Sequence, residues 1–166
     1  MFPETMLAQA RSLLAAAKAR GLRLATAESC TGGLIAGCLT EIAGSSAVVD
    51  RGYVVYDNRA KIEMLGVREA TLAAEGAVSE AVARAMAEGA VARSGCELAV
   101  AVTGIAGPGG GSETKPVGLV HIAAARRGGP TLHERHLFPG DRSAIRLATV
   151  DAALRLARRA LAGEAQ

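Results

Sequence analysis

The sequence predicts an α/β protein, a three-layer α/β/α sandwich around a mixed sheet of about five strands. Three observations point there. Apolar runs of strand length alternate with segments of helical period over the first two-thirds of the chain. Half of the residues are hydrophobic, yet there are only two Phe, two Tyr and no Trp. Ala-rich helices lying close on a sheet fit that profile better than an aromatic-filled β-sandwich. The last two strand-like runs are joined by Arg126-Arg127-Gly128-Gly129-Pro130, too short for a crossover helix, so that pair is expected to be antiparallel. The length fits one domain, 1–166, large enough for a real core.

Pro3 to Arg20 reads as an amphipathic helix with Met6, Leu7, Leu13 and Leu14 on its apolar side, ended by Gly21. Leu22-Arg23-Leu24-Ala25 reads as a buried strand. The turn Thr26-Ala27-Glu28-Ser29-Cys30-Thr31-Gly32-Gly33 leads into a helix through Leu34, Ile35, Cys38, Leu39 and Ile42, which stops at Ala43-Gly44-Ser45-Ser46. Ala47 to Tyr56 reads as a strand interrupted near Arg51-Gly52. Asp57 or Asn58 caps a short helix through Lys61 and Leu65, closed by Gly66. Val67 to Gly76 is irregular or briefly helical, and Ser79-Glu80 opens a helix to Ser94. Leu98 to Val102 is a continuous apolar strand that runs into the most glycine-rich part of the chain, Thr103 to Ser112. Val117 to Ala125 and Thr131 to Phe138 are the last strands. Pro139-Gly140-Asp141 starts a final helix reaching Ala162.

Charge and cysteine content narrow the class. The net charge of +3 is small, and no aromatic residues interleave with basic ones to stack bases, so nucleic acid is not the expected partner. No apolar run spans a bilayer, and Met1-Phe2-Pro3-Glu4 lacks the pattern of a signal peptide. The chain reads as soluble and cytoplasmic. Cys30, Cys38 and Cys96 are odd in number and lack metal-ligand spacing, which suits reduced thiols.

Two turns carry candidate chemistry. Ser29 stands where a strand meets a helix, beside amides without intrahelical partners that favour an anion or a developing oxyanion. It is a candidate nucleophile; the alternative is that Ser29 or Thr31 simply caps the helix. Cys30 is a rival nucleophile with no histidine near it in sequence. The glycine loop after Val102 lacks the Walker ending and the dinucleotide fingerprint, so it reads either as a phosphate cradle or as a surface loop. If the two strands are parallel neighbours, both turns share one rim. His121, His133 and His136 come late and read as solvated edge residues. That leaves Lys61 as the base for a serine, if burial lowers its pKa, with Tyr56 to relay a proton or hold it. The alternative is an exposed helix cation.

These blocks together resemble the C-terminal domain family of the competence/damage-inducible protein CinA. The resemblance is carried by Ala27-Glu28-Ser29-Cys30-Thr31-Gly32-Gly33, Ile42-Ala43-Gly44-Ser45-Ser46, Arg51-Gly52 with Tyr56 and Lys61, Gly76-Ala77-Val78-Ser79, Gly104-Ile105-Ala106-Gly107-Pro108, and Lys115-Pro116-Val117-Gly118. It implies hydrolysis of the carboxamide of nicotinamide mononucleotide, with Ser29 as nucleophile, Lys61 as base and Tyr56 assisting. It also implies a homo-oligomer and requires no metal or other cofactor. The alternative is a non-catalytic nucleotide-binding or regulatory module linked to competence or DNA damage. The larger family proteins carry an N-terminal domain with a nucleotide-pyrophosphatase role; it has no counterpart in these residues, and that activity is not carried over. Oxyanion donors are expected near Thr31-Gly32 or in the Thr103-Gly104 turn. The mononucleotide phosphate is assigned to glycine-loop amides such as Gly107, to Ser45-Ser46, or to Arg142.

Overall fold

The computed structural model describes residues 1–164; Ala165 and Gln166, part of the domain read from the sequence, lie outside the described residues. The elements are α1 (Glu4–Ala19), β1 (Leu24–Glu28), α2 (Leu34–Thr40), a 3₁₀ turn (Ser45–Ala47), β2 (Val49–Val54), α3 (Asn58–Leu65), α4 (Glu69–Glu75), α5 (Glu80–Ser94), β3 (Leu98–Gly104), β4 (Leu119–Arg126), β5 (Leu132–Leu137) and α6 (Arg142–Ala162). The sheet order is β2-β1-β3-β4-β5. Strand β1 runs parallel to β2 and β3, whereas β3–β4 and β4–β5 are antiparallel. This is the mixed five-stranded sheet expected, with helices on both faces. Strand β1 starts later than Leu22 and reaches Glu28, because it is buried throughout and pairs on both edges.

Period-two alternation gives the sheet two different faces. One presents Leu24, Leu98, Val100, Val102, Val120 and Ile122 to α1, α2 and α6. The other presents Ala25, Ala27, Ala99, Ala101, Ala123 and Ala125, packed with Ala83, Ala87 and Ala90 of α5. Alanine on both sides lets α5 lie close to the sheet. Helix α3 then packs on α5, where Gly89 leaves no room for a side chain: a Cβ there would meet the Leu65 carbonyl oxygen at 2.1 Å. That crossing holds α3, and with it Lys61, against the sheet's carboxyl rim. Asp57 caps α3 by accepting from the Arg59 amide at 2.8 Å, and Gly66 ends it at φ 72°.

The histidines depart from expectation. His121 lies on the interior strand β4 and is 9% exposed. Its Nδ1 stands 3.0 Å from His133 Nε2 across the β4–β5 ladder, with the rings stacked. Burial, then the neighbouring His133, pulls the His121 pKa down to about 4. Among the described residues no helix is long and apolar enough to cross a membrane.

Candidate active site

Ser29 follows the last residue of β1, and its amide donates to the Val102 carbonyl of β3 at 3.1 Å. Parallel pairing of β1 with β3 puts the Ser29 turn and the Thr103-Gly104 turn on one rim, as anticipated. The helix start behaves otherwise. Glu28, fully buried, folds its carboxylate back into it. One oxygen accepts from Thr31 Oγ1 at 2.6 Å and from the amides of Gly33 at 3.1 Å and Ile35 at 3.0 Å. The other accepts from Thr26 Oγ1 at 3.1 Å and the Ala36 amide at 2.8 Å. The Gly32 amide donates to the Ser29 carbonyl at 3.1 Å. So the amides at Gly32, Gly33, Ile35 and Ala36 already have partners within the chain. The Gly32 amide is therefore not free for the oxyanion expected near Thr31-Gly32, and neither Ser29 nor Thr31 caps α2. Thr31 is wholly buried on Glu28. Gly32 and Gly33 serve backbone shape, with φ of 60° and 100°.

Ser29, Tyr56, Lys61, Thr103, Gly104 and Arg142 line one cavity of about 210 Å³. Lys61 is 1% exposed, so it is not the surface cation that its short helix allowed. Its Nζ donates to the Tyr56 carbonyl at 3.2 Å. Burial holds its pKa below the ordinary 10.5, and Asp57 and then Cys30 oppose that shift only in part. Tyr56 is 62% exposed and meets Lys61 through its carbonyl; its phenol faces Arg142, whose Nη2 lies 3.4 Å away. Arg142 also donates to the Gly107 carbonyl at 2.8 Å. Gly107 therefore supports Arg142 and does not itself line the cavity. Thr103 donates to the Ala77 carbonyl at 2.8 Å, fixing the wall that Ala77 and Val78 form.

Cys30 shares the cavity, and burial pushes its thiol up to about 12, which disfavours the thiolate a nucleophile needs. Ser45 and Ser46 are not brought to the cavity. They precede β2, where the Val48 carbonyl pairs with the first residue of β1, so they sit at the opposite end of the parallel strands. Ser45 lines a separate groove with Ile42 and Val48. Among the described residues no group of three or more His, Cys, Asp or Glu is arranged to hold a metal ion.

Sequence reasoning passed over Glu28 and Arg146. The signal for Glu28 was an acid ending a buried strand just before a glycine-rich helix start, where it must find donors. Arg146, one turn after Arg142 on α6, donates to the carbonyls of Cys30 at 3.1 Å and Thr31 at 2.8 Å. No local pattern announces that contact, because it joins residues more than a hundred apart in sequence.

The fold and this rim define a class: an α/β/α sandwich with a serine, a buried lysine and an arginine around one small cleft. The chain belongs to the CinA C-terminal domain family, whose model matches residues 6–161. The nicotinamide-nucleotide amidohydrolase PncC of Escherichia coli K12 is 55% identical over 131 residues, 79% of each chain. A CinA-like protein of Akkermansia muciniphila is 60% identical over 125 residues, but the chain spans only 30% of that protein's length. The crystal structure of the competence/damage inducible protein CihA from Agrobacterium tumefaciens superposes with a TM-score of 0.94, at 56% identity and 98% coverage of both chains.

Proposed function

We propose that the chain, as one catalytic domain over 1–166, is a nicotinamide-nucleotide amidohydrolase. It converts nicotinamide mononucleotide to nicotinic acid mononucleotide and ammonia. The observation that carries this reading is a lysine 1% exposed in the cavity that holds Ser29. Burial lowers the pKa of such a lysine and favours its neutral, basic form, and lysine is rarely buried without a partner or a role. The name of the Escherichia coli relative supports amide hydrolysis.

In the proposed cycle neutral Lys61 takes the Ser29 proton as Oγ attacks the carboxamide carbon. The Gly104 amide is the proposed oxyanion donor. Ser29 donates to Val102, and the Ile105 amide turns to Leu119 of β4. Strand alternation therefore aims the intervening Gly104 amide back toward β1, past its end. Losing one such donor typically costs about 2.7–4 kcal/mol in transition-state stabilisation. The Lys61 ammonium returns the Ser29 proton to the amide nitrogen, the C–N bond breaks, and ammonia leaves behind an acyl-serine. Water, deprotonated by the same lysine, then cleaves the acyl-serine. Tyr56 assists by holding Nζ through its carbonyl, and Arg142 takes the phosphate. Exposed Val54, Tyr56 and Met64 beside the edge strand β2 support a homo-oligomer, which light scattering tests directly.

The test is ammonia release from nicotinamide mononucleotide by the purified chain, with Ser29→Ala and Lys61→Ala in parallel. Turnover by the wild type, lost in both variants, is expected. Ligand binding without turnover in the wild type would instead favour a regulatory module.

A further inference from the structure

The Ser29 hydroxyl has no hydrogen bond of its own among the described residues, so its aim is set by the backbone of its turn. That turn contains two left-handed glycines, a conformation without intrinsic stiffness. Two side chains grip it through different backbone groups. Glu28 takes its N–H groups: the amides of Gly33, Ile35 and Ala36 converge on one carboxylate, with two threonine hydroxyls completing it. Arg146 takes its C=O groups, one guanidinium spanning the carbonyls of Cys30 and Thr31. We infer that Glu28 and Arg146 are positioning residues for the acyl transfer, a clamp that keeps Ser29 aimed into the Lys61 cavity. The inference rests on the amidase reading, but it can be tested apart from it.

The chemistry of each grip dictates the informative substitutions. All five partners of Glu28 are donors, which only an acceptor-only group satisfies. Glu28→Gln keeps the shape but turns an NH₂ toward at least one backbone N–H, whichever way the amide is flipped. The threonine hydroxyls can rotate to accept; the amides of Gly33, Ile35 and Ala36 cannot. Arg146 works as a fork, and Arg146→Lys keeps the charge while losing the second bond. Arg146→Met keeps most of the apolar stem and loses both. Arg146 is only half-buried, so its variants are expected to fold.

Three quantities are measured on the purified full chain and its variants: kcat and KM for ammonia release, the rate of Ser29 labelling by an alkyl fluorophosphonate, and Tm. Arg146→Met is expected to lower kcat and the labelling rate together by on the order of 100-fold, as a misaimed nucleophile does. KM should stay within about twofold, because the interaction lost matters in the transition state. Arg146→Lys should fall between, and Glu28→Gln should shift both rates the same way. Wild-type kcat and labelling in these variants, with only Tm lowered, would reduce the clamp to ordinary structural capping and overturn the inference. If Glu28→Gln does not fold, the Arg146 series decides alone. A wild type that labels at Ser29 without releasing ammonia counts against the amidase reading only, and the labelling ratios still judge the clamp. A wild type that does neither overturns both.

Discussion

Two turns in this molecule look alike in composition and differ in everything else. Ser29 to Gly33 follows β1; Gly44 to Ala47 precedes β2. Each carries serine and at least one left-handed glycine, and neither the start of α2 nor the 3₁₀ turn has a side-chain cap at its N-cap position. The first lies at the carboxyl ends of the parallel strands, gripped by Glu28 and Arg146 and open to a cavity with a buried lysine. The second lies at the amino ends, and Ser45 borders a groove walled by Ile42 and Val48. Small polar residues make a turn possible. Strand direction and the groups brought in from α3 and α6 decide whether the turn can do chemistry.

The largest expected effect breaks the comparison at its active side. Ser29→Ala should lower kcat/KM by about 10⁴-fold or more, measured by ammonia release. Lys61→Met should abolish turnover to a similar degree yet raise stability by about 1 kcal/mol at neutral pH, read from urea melts, because it removes a buried charge site. The same lysine sets the pH response. Its folded pKa lies below the unfolded value, so between the two the unfolded chain binds more protons and stability climbs with pH. That contribution is complete above the ordinary 10.5 and is lost as pH falls through the depressed pKa. Wild-type kcat/KM should rise with pH through the depressed value, and a flat alkaline profile would remove Lys61 as base. A smaller change is expected from Arg142→Ala, roughly a tenfold rise in KM with kcat less affected, as for a charged hydrogen bond to phosphate. The least effect sharpens the contrast: Ser45→Ala with Ser46→Ala should leave both constants within about twofold, since surface serines away from a site rarely matter. A large loss there would mean that the second turn reaches an active site after all, through another copy of the chain.

Much of the frame was legible locally. Asp57 and Ser79 announce the starts of α3 and α5 by accepting from amides two and three residues on. Gly66 and Gly95 announce their ends with left-handed backbone. The five apolar residues from Leu98 spelled a central strand. The Ser29 turn, the glycine loop and Lys61 could be singled out because residue type constrains chemistry. Their environments could not. Lys61 reads as a surface cation until Gly89 lets α3 settle on α5. His121 reads as an edge residue until β5 covers β4. The amides of Gly33, Ile35 and Ala36 at the start of α2 read as unpartnered until Glu28 takes all three.

By itself, then, the sequence determined the order and kind of the elements, the mixed sheet and the residues proposed as nucleophile and base. Hydrophobic period, capping and turn chemistry are local, and neighbours in the chain suffice to express them. Only the tertiary structure decided which serine shares a cavity with the lysine, which amides of the turn are taken within the chain, and that Arg146 reaches across from α6 to the turn's carbonyls. Burial, pKa and hydrogen-bond partnership depend on what packs against a residue, and here those partners lie in distant segments that meet only when the sheet and its helices close.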